Sequence, residues 1–522
     1  MIKKKVILLI LDGWGEGEEN ISNTFRFAKT PNLDYFQKNY PFCLLNASGY
    51  SVGLPSDEPG NCQIGHLTLG TGIVFYQAIV KIDLAIKNGE FFRNEKLLQV
   101  FNHCRAFNSR LHLVGLLSQG KNIVEFNHLI ALLELAQKEK FDKVYLHLFT
   151  DGIDSPPKSA LSLIEKLKKI QQSKNLPGEI ATLCGRFYAL DKTNNYFLRT
   201  QRSFLLLVEG KGNLAKNPEE ILMKKYSEPD FNDSILEPTI FNKDGIIQNN
   251  DAILFFHYET KNISQLANSL INTNFQEFKR PERKNLYITS LVRYLENIDY
   301  PVIFEEQKIK TNLSRIIAEN KLKQIKIIDK TRKELLSFYF NGFFEEKHPD
   351  EVFEFLPPFS DDEQDLREKT KEFFDYLKIT LKDSIFDLII ASLPTFDIVG
   401  HKGDFRLAIS VIEEIDKILE ELSKLSLENK YSLILTSDHG NIEKMVDVRS
   451  GQKETLHNLS PVPFYLIDND YRREKHKEEL FFFKRKILGS LVDIAPTILD
   501  LMGGEKIKIP QEFVGKSLLK YF

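Results

Sequence analysis

Carboxylate and imidazole side chains stand at the ends of four predicted strands that are far apart in this sequence. They lie in VILLILDGWG, FDLIIASLPTFDIVGHKGD, YSLILTSDHGN and KETLHNLSPVPFYLI, and they are Asp12, Asp397, His401, Asp438, His439 and His457. Sites in open α/β sheets form beyond the carboxyl ends of strands, so we expect these segments to meet there. Mixed carboxylate and imidazole donors suit Mn²⁺ or Zn²⁺, and two such ions clamp the oxygens of a phosphoryl transfer. The pattern therefore predicts a dinuclear site for phosphoryl or sulfuryl transfer.

Each of these residues also has a simpler interpretation. A single Asp after a strand is usually a turn residue or a helix cap, and a single His is more often packed or exposed than bound to metal. An Asp and a His four residues apart can be one turn of an ordinary helix. The coincidence of four such segments, all at strand ends, favours the metal site over these alternatives.

The elements that must position these residues follow an alternating pattern. The predicted strands include KVILLIL, RLHLVGLL, KVYLHLF, AILFFHY, IFDLIIASL, YSLILTS and VPFYLI, and amphipathic helices such as HLIALLELAQKEK and ALSLIEKLKKIQQ lie between several of them. This alternation predicts an α/β fold with largely parallel sheets. A chain of 522 residues is too long for one ordinary core, so two domains are expected. The weakest patterning, near 73–82 and near 296–312, predicts the linkers.

Composition limits the partners that the chain can have. It is 42% hydrophobic and 27% charged with a net charge of −3, which is typical of a soluble globular protein without nucleic-acid or acidic-membrane partners. The apolar run Val6–Leu11 is too short for a signal peptide, and no run approaches the ~18 apolar residues of a membrane span. Four cysteines in so long a chain predict no disulfide framework, and a reducing cytoplasm fits them.

One cysteine lies in a glycine-rich stretch. GNCQIGHLTLGTG surrounds Cys62 with small and turn-forming residues. A thiol in this position could fill the core, bind a metal, act as a nucleophile, or remain from a lost nucleophile. The residues of the stretch alone leave these four alternatives open.

The motifs of the chain, taken together, resemble a known family. LLILDGWG, ASGYSVGLP, GNCQIGHLTLGTG, LFTDGIDSPPKS, CGRFYALDK, FYFNG, DIVGHKGD, TSDHGN, LHNLSPVPF and LVDIAPTILDLMG occur in the order seen in cofactor-independent (2,3-bisphosphoglycerate-independent) phosphoglycerate mutases. That family belongs to the alkaline phosphatase superfamily, and the resemblance covers essentially the whole chain. It implies an alkaline-phosphatase-like sheet domain over 1–76 and 308–522, interrupted by an inserted α/β transferase-like substrate domain over 77–307.

The resemblance also implies the chemistry. Two divalent ions are expected at the positions matching Asp12, Cys62, Asp397, His401, Asp438, His439 and His457. Mn²⁺ is the first candidate for these ions and Zn²⁺ is the alternative. The family nucleophile, a serine that carries the phosphoryl group between the 3- and 2-hydroxyls of glycerate, falls at Cys62. Metal ions would favour a nucleophilic thiolate there, but sulfur is a softer ligand than oxygen, prefers Zn²⁺ and forms longer bonds. A sulfatase-like conversion to formylglycine is excluded because CQIGH lacks the C-x-P-x-R motif.

The inserted domain departs from the family at several substrate contacts. Asp154 and Arg186 match, Lys192 stands for an arginine, and Arg332, in the other domain, stands for a lysine. The remaining contacts have changed type: a histidine has become Ile123, and three arginines have become Ile153, Glu259 and Asn262. Lys121, His257 and Lys261 lie near the lost positions in sequence and are candidates to replace them. Losing three charge-assisted contacts predicts weak binding of phosphoglycerate.

Three functions remain open at this point. The first is a glycolytic phosphoglycerate mutase, an isomerase that interconverts 3- and 2-phosphoglycerate through a phosphoenzyme. The second is a metal-dependent phosphohydrolase acting on another phosphate ester, and the third is a non-catalytic metal-binding paralogue. The expected partner is a small phosphorylated substrate, and we expect a cytoplasmic monomer without nucleic-acid or membrane partners.

Overall fold

The computed structural model describes residues 4–191, 197–503 and 506–522. Its strands are β1 Lys5–Leu11, β2 Phe42–Asn46, β3 Leu111–Leu117, β4 Val144–Thr150, β5 Glu179–Gly185, β6 Asn213–Leu214, β7 Thr239–Ile240, β8 Ala252–Phe255, β9 Tyr287–Ser290, β10 Gln324–Asp329, β11 Glu351–Leu356, β12 Leu388–Leu393, β13 Tyr431–Thr436, β14 Val462–Ile467 and β15 Ile487–Ser490.

The α-helices alternate with these strands along most of the chain. They are α1 Pro31–Asn39, α2 Cys62–Thr71, α3 Ala78–Lys87, α4 Glu95–Ala106, α5 Phe126–Lys138, α6 Ala160–Lys174, α7 Arg186–Ala189, α8 Phe197–Glu209, α9 Pro218–Tyr226, α10 Ser264–Ile271, α11 Leu313–Glu319, α12 Glu363–Asp383, α13 Thr395–Lys402, α14 Phe405–Glu428, α15 Lys477–Phe483 and α16 Ile494–Gly503. Among the described residues, none of these helices combines the length and the apolar character that a membrane crossing requires.

The chain divides into two compact units. Unit 1 combines Met1–Gln77 with Gln307–Phe522, and unit 2 is the continuous segment Ala78–Glu306. Each unit has its own hydrophobic core, built around its own sheet. The second unit is therefore inserted into the sequence of the first.

Unit 1 is built on an eight-stranded sheet of order β11-β10-β12-β1-β13-β14-β2-β15. Its central strands are parallel, and β14 alone runs antiparallel to its neighbours β13 and β2. In the register of β1, Ile10 lies opposite both Ser392 of β12 and Thr436 of β13. The carboxyl ends of three central strands are thus level, so whatever follows each of them emerges at one edge of the sheet.

Unit 2 contains a seven-stranded sheet of order β6-β7-β5-β4-β3-β8-β9. All its neighbours are parallel except β5 and β7. The prediction of an α/β fold with largely parallel sheets is confirmed, and all seven strands named from the sequence form. Short strands such as β6 and β7, with two residues each, carry too little pattern to be predicted.

A buried ion pair joins two strands at one edge of the first sheet. Lys326 of β10 and Glu351 of β11 are fully enclosed, with Lys326 Nζ 2.7 Å from Glu351 Oε1. The ammonium also donates to the carbonyl of Leu336 at 3.0 Å and to the side chain of Asn341. The pair therefore ties both strands to the segment 335–341, which packs against α2.

Breaking this pair from one side should be costly. We expect Lys326→Met to destabilise unit 1 by about 3–5 kcal/mol, because Glu351 would remain charged and buried without a cation beside it. The double variant Lys326→Met/Glu351→Leu should recover much of that loss. Urea unfolding followed by circular dichroism measures both, with Lys424→Met at the exposed Lys424–Glu420 pair as a control that leaves the midpoint unchanged. Equal destabilisation by the single and double variants would contradict this prediction.

Candidate metal centre and active site

Two neighbouring parallel strands place the first two carboxylates. Asp12 directly follows β1, and Asp438 lies two residues beyond the end of β13. The backbone N–H of Gly13 donates to Asp438 Oδ1 at 3.1 Å. Gly13 has a φ of +82°, and a Cβ on it would lie 2.8 Å from the Cα of Asp397. Only glycine lets the three segments approach so closely.

The start of α2 brings Cys62 into the same space. Asn61 caps this helix by accepting the N–H of Ile64 at 3.0 Å, and Cys62 is its first residue. A Cβ on Gly65 would stand 2.6 Å from the Cβ of Asp438, so the helix lies directly against that strand end. As a result, Cys62 Sγ lies 3.2 Å from His439 Nε2.

A second group of donors forms around Asp397. Asp397 and His401 share one face of α13, and His401 Nε2 lies 3.2 Å from Asp397 Oδ1. His457 Nε2 lies 3.3 Å from the same oxygen and 3.1 Å from His401 Nε2. The Nδ1 atoms of the two rings contact backbone carbonyls, of Thr455 at 2.8 Å and of Gly60 at 3.0 Å.

This geometry fits a cation. A carbonyl only accepts hydrogen bonds, so both Nδ1 atoms carry protons and the Nε2 atoms of neutral rings carry lone pairs. Two lone pairs and a carboxylate oxygen then converge on one point, and only a metal ion or an added proton makes that arrangement favourable. In the metal-free protein the hydrogen bond to Asp397, opposed by desolvation, raises the pKa of His401 above its ordinary value.

The other group consists of Asp12, Cys62, Asp438 and His439. Donor atoms of Cys62, Asp438 and His439 lie close enough together to hold one metal ion. Oδ2 of Asp12 and Oδ2 of Asp438 are buried and have no hydrogen-bond partner among the described residues. Burial, and then the charge of Asp438, raises the pKa of Asp12 well above its usual range. Unpartnered buried carboxylate oxygens beside a thiol and an imidazole fit a second divalent cation.

The two groups adjoin each other. The rings of His439 and His457 stack with centroids 3.7 Å apart, and His439 Nε2 lies 4.0 Å from Asp397 Oδ1. All seven residues predicted as ligands are therefore brought together at one edge of the sheet of unit 1. Their role as metal ligands stays a prediction.

The thiol of Cys62 depends on cations for its ionisation. Desolvation, and then the charges of Asp438, Asp397 and Asp12, raises the pKa of Cys62 well above its usual range, so the metal-free protein holds a thiol. Bound cations reverse this electrostatic effect and favour the thiolate.

Arg332 supplies a positive charge beside this cluster. Its Nη2 lies 3.3 Å from Asp397 Oδ2, whereas its Nη1 is buried and has no hydrogen-bond partner among the described residues. Desolvation opposes its charge, but Asp12, Asp397 and Cys62 outweigh that effect and raise the pKa of Arg332. A buried N–H group without an acceptor, next to Cys62, is suited to an oxygen of a phosphoryl group.

Three further polar residues of the site were not predicted from the sequence. His66, Asn441 and Glu443 are fully buried there. Asn441 Nδ2 donates to Asp397 Oδ1 at 3.0 Å, and Glu443 Oε2 accepts the N–H of Gly15 at 2.9 Å. The sequence did contain a signal for His66, because a residue four positions after Cys62 shares its helix face.

In unit 2, Arg186 is bound to two carboxylates. Its Nη1 lies 2.6 Å from Asp151 Oδ1 and 2.6 Å from Asp154 Oδ2. Asn122 Nδ2 donates to Asp154 Oδ1 at 2.9 Å, and Ser118 Oγ donates to Asp151 at 2.6 Å. The two predicted substrate contacts Asp154 and Arg186 are thus side by side, and the positive charge of Arg186 is compensated locally.

The positions at which the resemblance implies changed substrate contacts have different surroundings in unit 2. Ile153 is 69% exposed, whereas Ile123 is buried. The carboxylate of Glu259 accepts the N–H of Lys261 at 2.8 Å and both the backbone N–H, at 3.0 Å, and the side chain, at 2.8 Å, of Asn262. Glu259 therefore stabilises its own turn. Lys192, the remaining predicted contact, lies outside the described residues.

One candidate for a replacement anion contact does not carry charge. His257 is fully buried, and its Nε2 accepts the N–H of Leu116 at 2.8 Å. Burial, and then the charge of Arg186, lowers the pKa of His257 to about 3, so the ring is neutral. His257 is therefore no cationic replacement for an arginine, and Lys121 and Lys261 remain as candidates.

Comparisons with known proteins agree with this architecture. Residues 82–296 match the family model described as the BPG-independent PGAM N-terminus, and residues 261–504 match the model described as Sulfatase. The fold is shared with a Leishmania mexicana phosphoglycerate mutase crystallised at low cobalt concentration, with a TM-score of 0.50 at 22% identity over 98% of this chain and 97% of that one. The two sheets and these matches define an α/β protein of the alkaline phosphatase superfamily.

Curated relatives are similar over the entire length. The 2,3-bisphosphoglycerate-independent phosphoglycerate mutase of Clostridium novyi is 35% identical over 100% of both chains. That of Moorella thermoacetica is 34% identical over 99% of both chains. The chain belongs to the 2,3-bisphosphoglycerate-independent phosphoglycerate mutase family, which confirms the resemblance inferred from its motifs.

Metal binding at the Asp397 group should depend on pH. Because the pKa of His401 is raised in the metal-free protein, protons compete with the ion at higher pH than for an ordinary histidine. Affinity should be full above that pKa and should fall by about tenfold per pH unit below it for each proton displaced. Calorimetric titration with Mn²⁺ between pH 5.5 and 8 measures this, with His103→Gln in unit 2 as a control that keeps the wild-type profile. An affinity independent of pH would exclude His401 as a ligand.

Metal preference should depend on Cys62. We expect Zn²⁺ to compete better against Mn²⁺ in the wild type than in Cys62→Ser, because a thiolate is a softer donor than an alkoxide. Metal analysis after competition dialysis of both proteins measures the preference, and Cys43→Ser is the control at a buried cysteine of the sheet. The same Zn²⁺ to Mn²⁺ ratio in all three proteins would mean that Cys62 is not a ligand.

Proposed function

We propose that this protein interconverts 3-phosphoglycerate and 2-phosphoglycerate through a phosphoenzyme formed on Cys62. The observation that carries the proposal is the position of the Cys62 thiol, 3.2 Å from His439 Nε2 and within the cluster of Asp12, Asp397 and Asp438. Family membership over the full length supports the same reaction. The seven clustered residues are proposed as the ligands of two divalent ions.

Metal ions bound by these residues would favour the thiolate and neutralise charge on the phosphoryl oxygens. Cys62 Sγ attacks the phosphorus of 3-phosphoglycerate, so the S–P bond forms and the bond to the 3-oxygen breaks with uptake of a proton by that oxygen. The 2-hydroxyl of the retained glycerate then attacks the phosphorus, loses its proton, and releases Cys62 as thiolate. Arg332 Nη1 is proposed to bind a phosphoryl oxygen in both steps.

The two parts of the chain are proposed to divide these tasks. Residues 1–76 and 308–522 would carry the phosphoryl group and the metal ions, and residues 77–307 would bind the glycerate. Asp154, Arg186 and Lys192 are the proposed glycerate contacts. Holding glycerate between the two transfers is what separates a mutase from a phosphatase, because a lost alcohol is replaced by water.

A second candidate function is metal-dependent hydrolysis of another phosphate ester. It is favoured because the positive charge of Arg186 is already neutralised by two carboxylates, each 2.6 Å from its Nη1. Ile153, Glu259 and Asn262 also supply no cationic group for the phosphate of phosphoglycerate. Both candidates use the same cluster in unit 1 and differ in the acceptor of the phosphoryl group. We further propose Mn²⁺ as the resident ion and a cytoplasmic monomer as the working form.

Substitutions of Cys62 test the phosphoenzyme. Cys62→Ala should abolish transfer from 3-phosphoglycerate, and Cys62→Ser should preserve or exceed the wild-type rate, because oxygen matches the hard Mn²⁺ ion better than sulfur. A coupled assay for 2-phosphoglycerate and an assay for released phosphate, run together with Mn²⁺, measure both outcomes, with Cys43→Ala as the control.

Each outcome of these assays selects one function. Formation of 2-phosphoglycerate supports the mutase, whereas phosphate release alone from the wild type supports the hydrolase. Undiminished activity in Cys62→Ala would exclude Cys62 as the nucleophile. If none of the proteins transfers a phosphoryl group to any acceptor, the chain is a non-catalytic paralogue.

Restoring one arginine tests the substrate contacts. Ile153→Arg should lower the KM for 3-phosphoglycerate by about 10- to 100-fold, since a charge-assisted hydrogen bond contributes roughly 1.5–3 kcal/mol. Ile153 is exposed, so the fold has room for the longer side chain. Leu214→Arg, at another exposed apolar position of unit 2, is the control that leaves KM unchanged. An equal effect of both variants would indicate a general charge effect instead.

A further inference from the structure

His66 is a buried histidine that connects the nucleophile helix to the metal-binding strand ends. It lies in α2, one turn after Cys62, and is completely enclosed. Its Nδ1 lies 2.8 Å from the carbonyl oxygen of Cys62, a contact that requires the proton to be on Nδ1. The ring therefore fixes the first turn of α2 through a bond that ordinary helix geometry does not supply.

The opposite side of the ring reaches the central strands. His66 Nε2 lies 3.0 Å from Ser392 Oγ, on β12, and Ser392 Oγ lies 2.8 Å from Asp12 Oδ1. One imidazole and one hydroxyl thus connect Cys62 to Asp12. Asp438 Oδ2 is also near, 3.5 Å from His66 Nδ1.

The proximity of Asp12, His66 and Asp438 would also allow His66 itself to bind an ion, since donor atoms of the three lie close together. The orientation of the ring argues against that role, because Nδ1 donates to the carbonyl of Cys62 and Nε2 faces the hydroxyl of Ser392. The rings of His401 and His457 differ, since each has only its Nδ1 on a carbonyl and directs Nε2 toward Asp397.

The contacts of His66 are restricted to one of the two ligand groups. Within the described part of the chain, its hydrogen bonds and ion-pair contacts involve Cys62, Ser392, Asp12 and Asp438. No hydrogen bond or ion-pair contact of the described residues joins it to the group of Asp397, His401 and His457. A change at His66 should therefore be transmitted to one ion and not to the other.

We propose that His66 is a positioning residue that holds Cys62 and Asp12 in the geometry needed to bind one ion of the pair. Without it, the group of Asp12, Cys62, Asp438 and His439 loses affinity, while the group of Asp397, His401 and His457 keeps it. This inference rests on the proposed metal centre of the proposed function. It predicts that loss of His66 lowers the affinity for one of the two ions more than the affinity for the other.

The experiment is a titration of the metal-free full-length protein with Co²⁺, followed by visible absorption and by metal analysis. The variants are His66→Ala, which removes the ring, His66→Asn, which keeps a donor near the carbonyl of Cys62, and His66→Gln, which keeps a polar group near Ser392. Ser392→Ala removes the hydroxyl that lies between His66 and Asp12. His128→Asn is the control, because His128 is a fully buried histidine of unit 2 that contacts Asp83 at 2.9 Å. Circular dichroism confirms that each variant is folded.

The wild type and His128→Asn should bind two ions with identical spectra. In the His66 variants and in Ser392→Ala, one ion should bind about 10- to 100-fold more weakly, and the affinity for the second ion should be unchanged. A loss of this size is usual when a residue that hydrogen-bonds a metal ligand is removed. His66→Asn and His66→Gln should each retain more affinity than His66→Ala, and kcat should fall more than KM rises.

Two results would overturn the positioning role. Unchanged affinities and spectra in every His66 variant would mean that the hydrogen bonds of His66 do not influence the ion. A changed Co²⁺ spectrum in His66→Asn together with a wild-type spectrum in Ser392→Ala would identify His66 as a ligand. A wild type that binds two ions but transfers no phosphoryl group would refute the proposed function and leave this inference standing.

Discussion

Three carboxylates that repel one another share one buried space in unit 1. Asp12, Asp397 and Asp438 are at most 2% exposed, and each follows a different central strand of the sheet. Like charges in a site of low dielectric constant are unfavourable unless cations or protons compensate them. Metal binding would resolve this conflict for the folded protein. In the metal-free protein, burial and then the neighbouring carboxylates raise the pKa of Asp12 and of Cys62.

The surrounding backbone is adapted to this close approach. Gly13 and Gly65 lie where a Cβ would collide with Asp397 and Asp438, at 2.8 Å and 2.6 Å from their nearest atoms. Hydrogen bonds from Nδ1 of His401 and of His457 to carbonyl groups then direct the remaining ring nitrogens toward one carboxylate oxygen. The sheet provides the common edge, and the glycines and the histidine contacts convert that edge into two adjoining groups of donors.

The family resemblance implies that the two units have diverged to different degrees. Unit 1 keeps the donors that the family resemblance implies, with sulfur in place of oxygen at Cys62. The same resemblance implies that unit 2 lacks several cationic contacts, and its Arg186 is held by Asp151 and Asp154. In the proposed mechanism, chemistry at phosphorus and selection of the alcohol depend on separate sets of residues, and change in one set need not disturb the other.

The sequence by itself determined the α/β class, the parallel sheets, the family, and six Asp and His residues at strand ends. Strand periodicity and motif order are local properties, so they can be read without coordinates. The structure alone decided that His66 and Ser392 connect Cys62 to Asp12 and that His257 is buried and neutral. These features depend on contacts between segments far apart in the chain and on the exclusion of water around them, and neither is encoded in the spacing of residues along one segment.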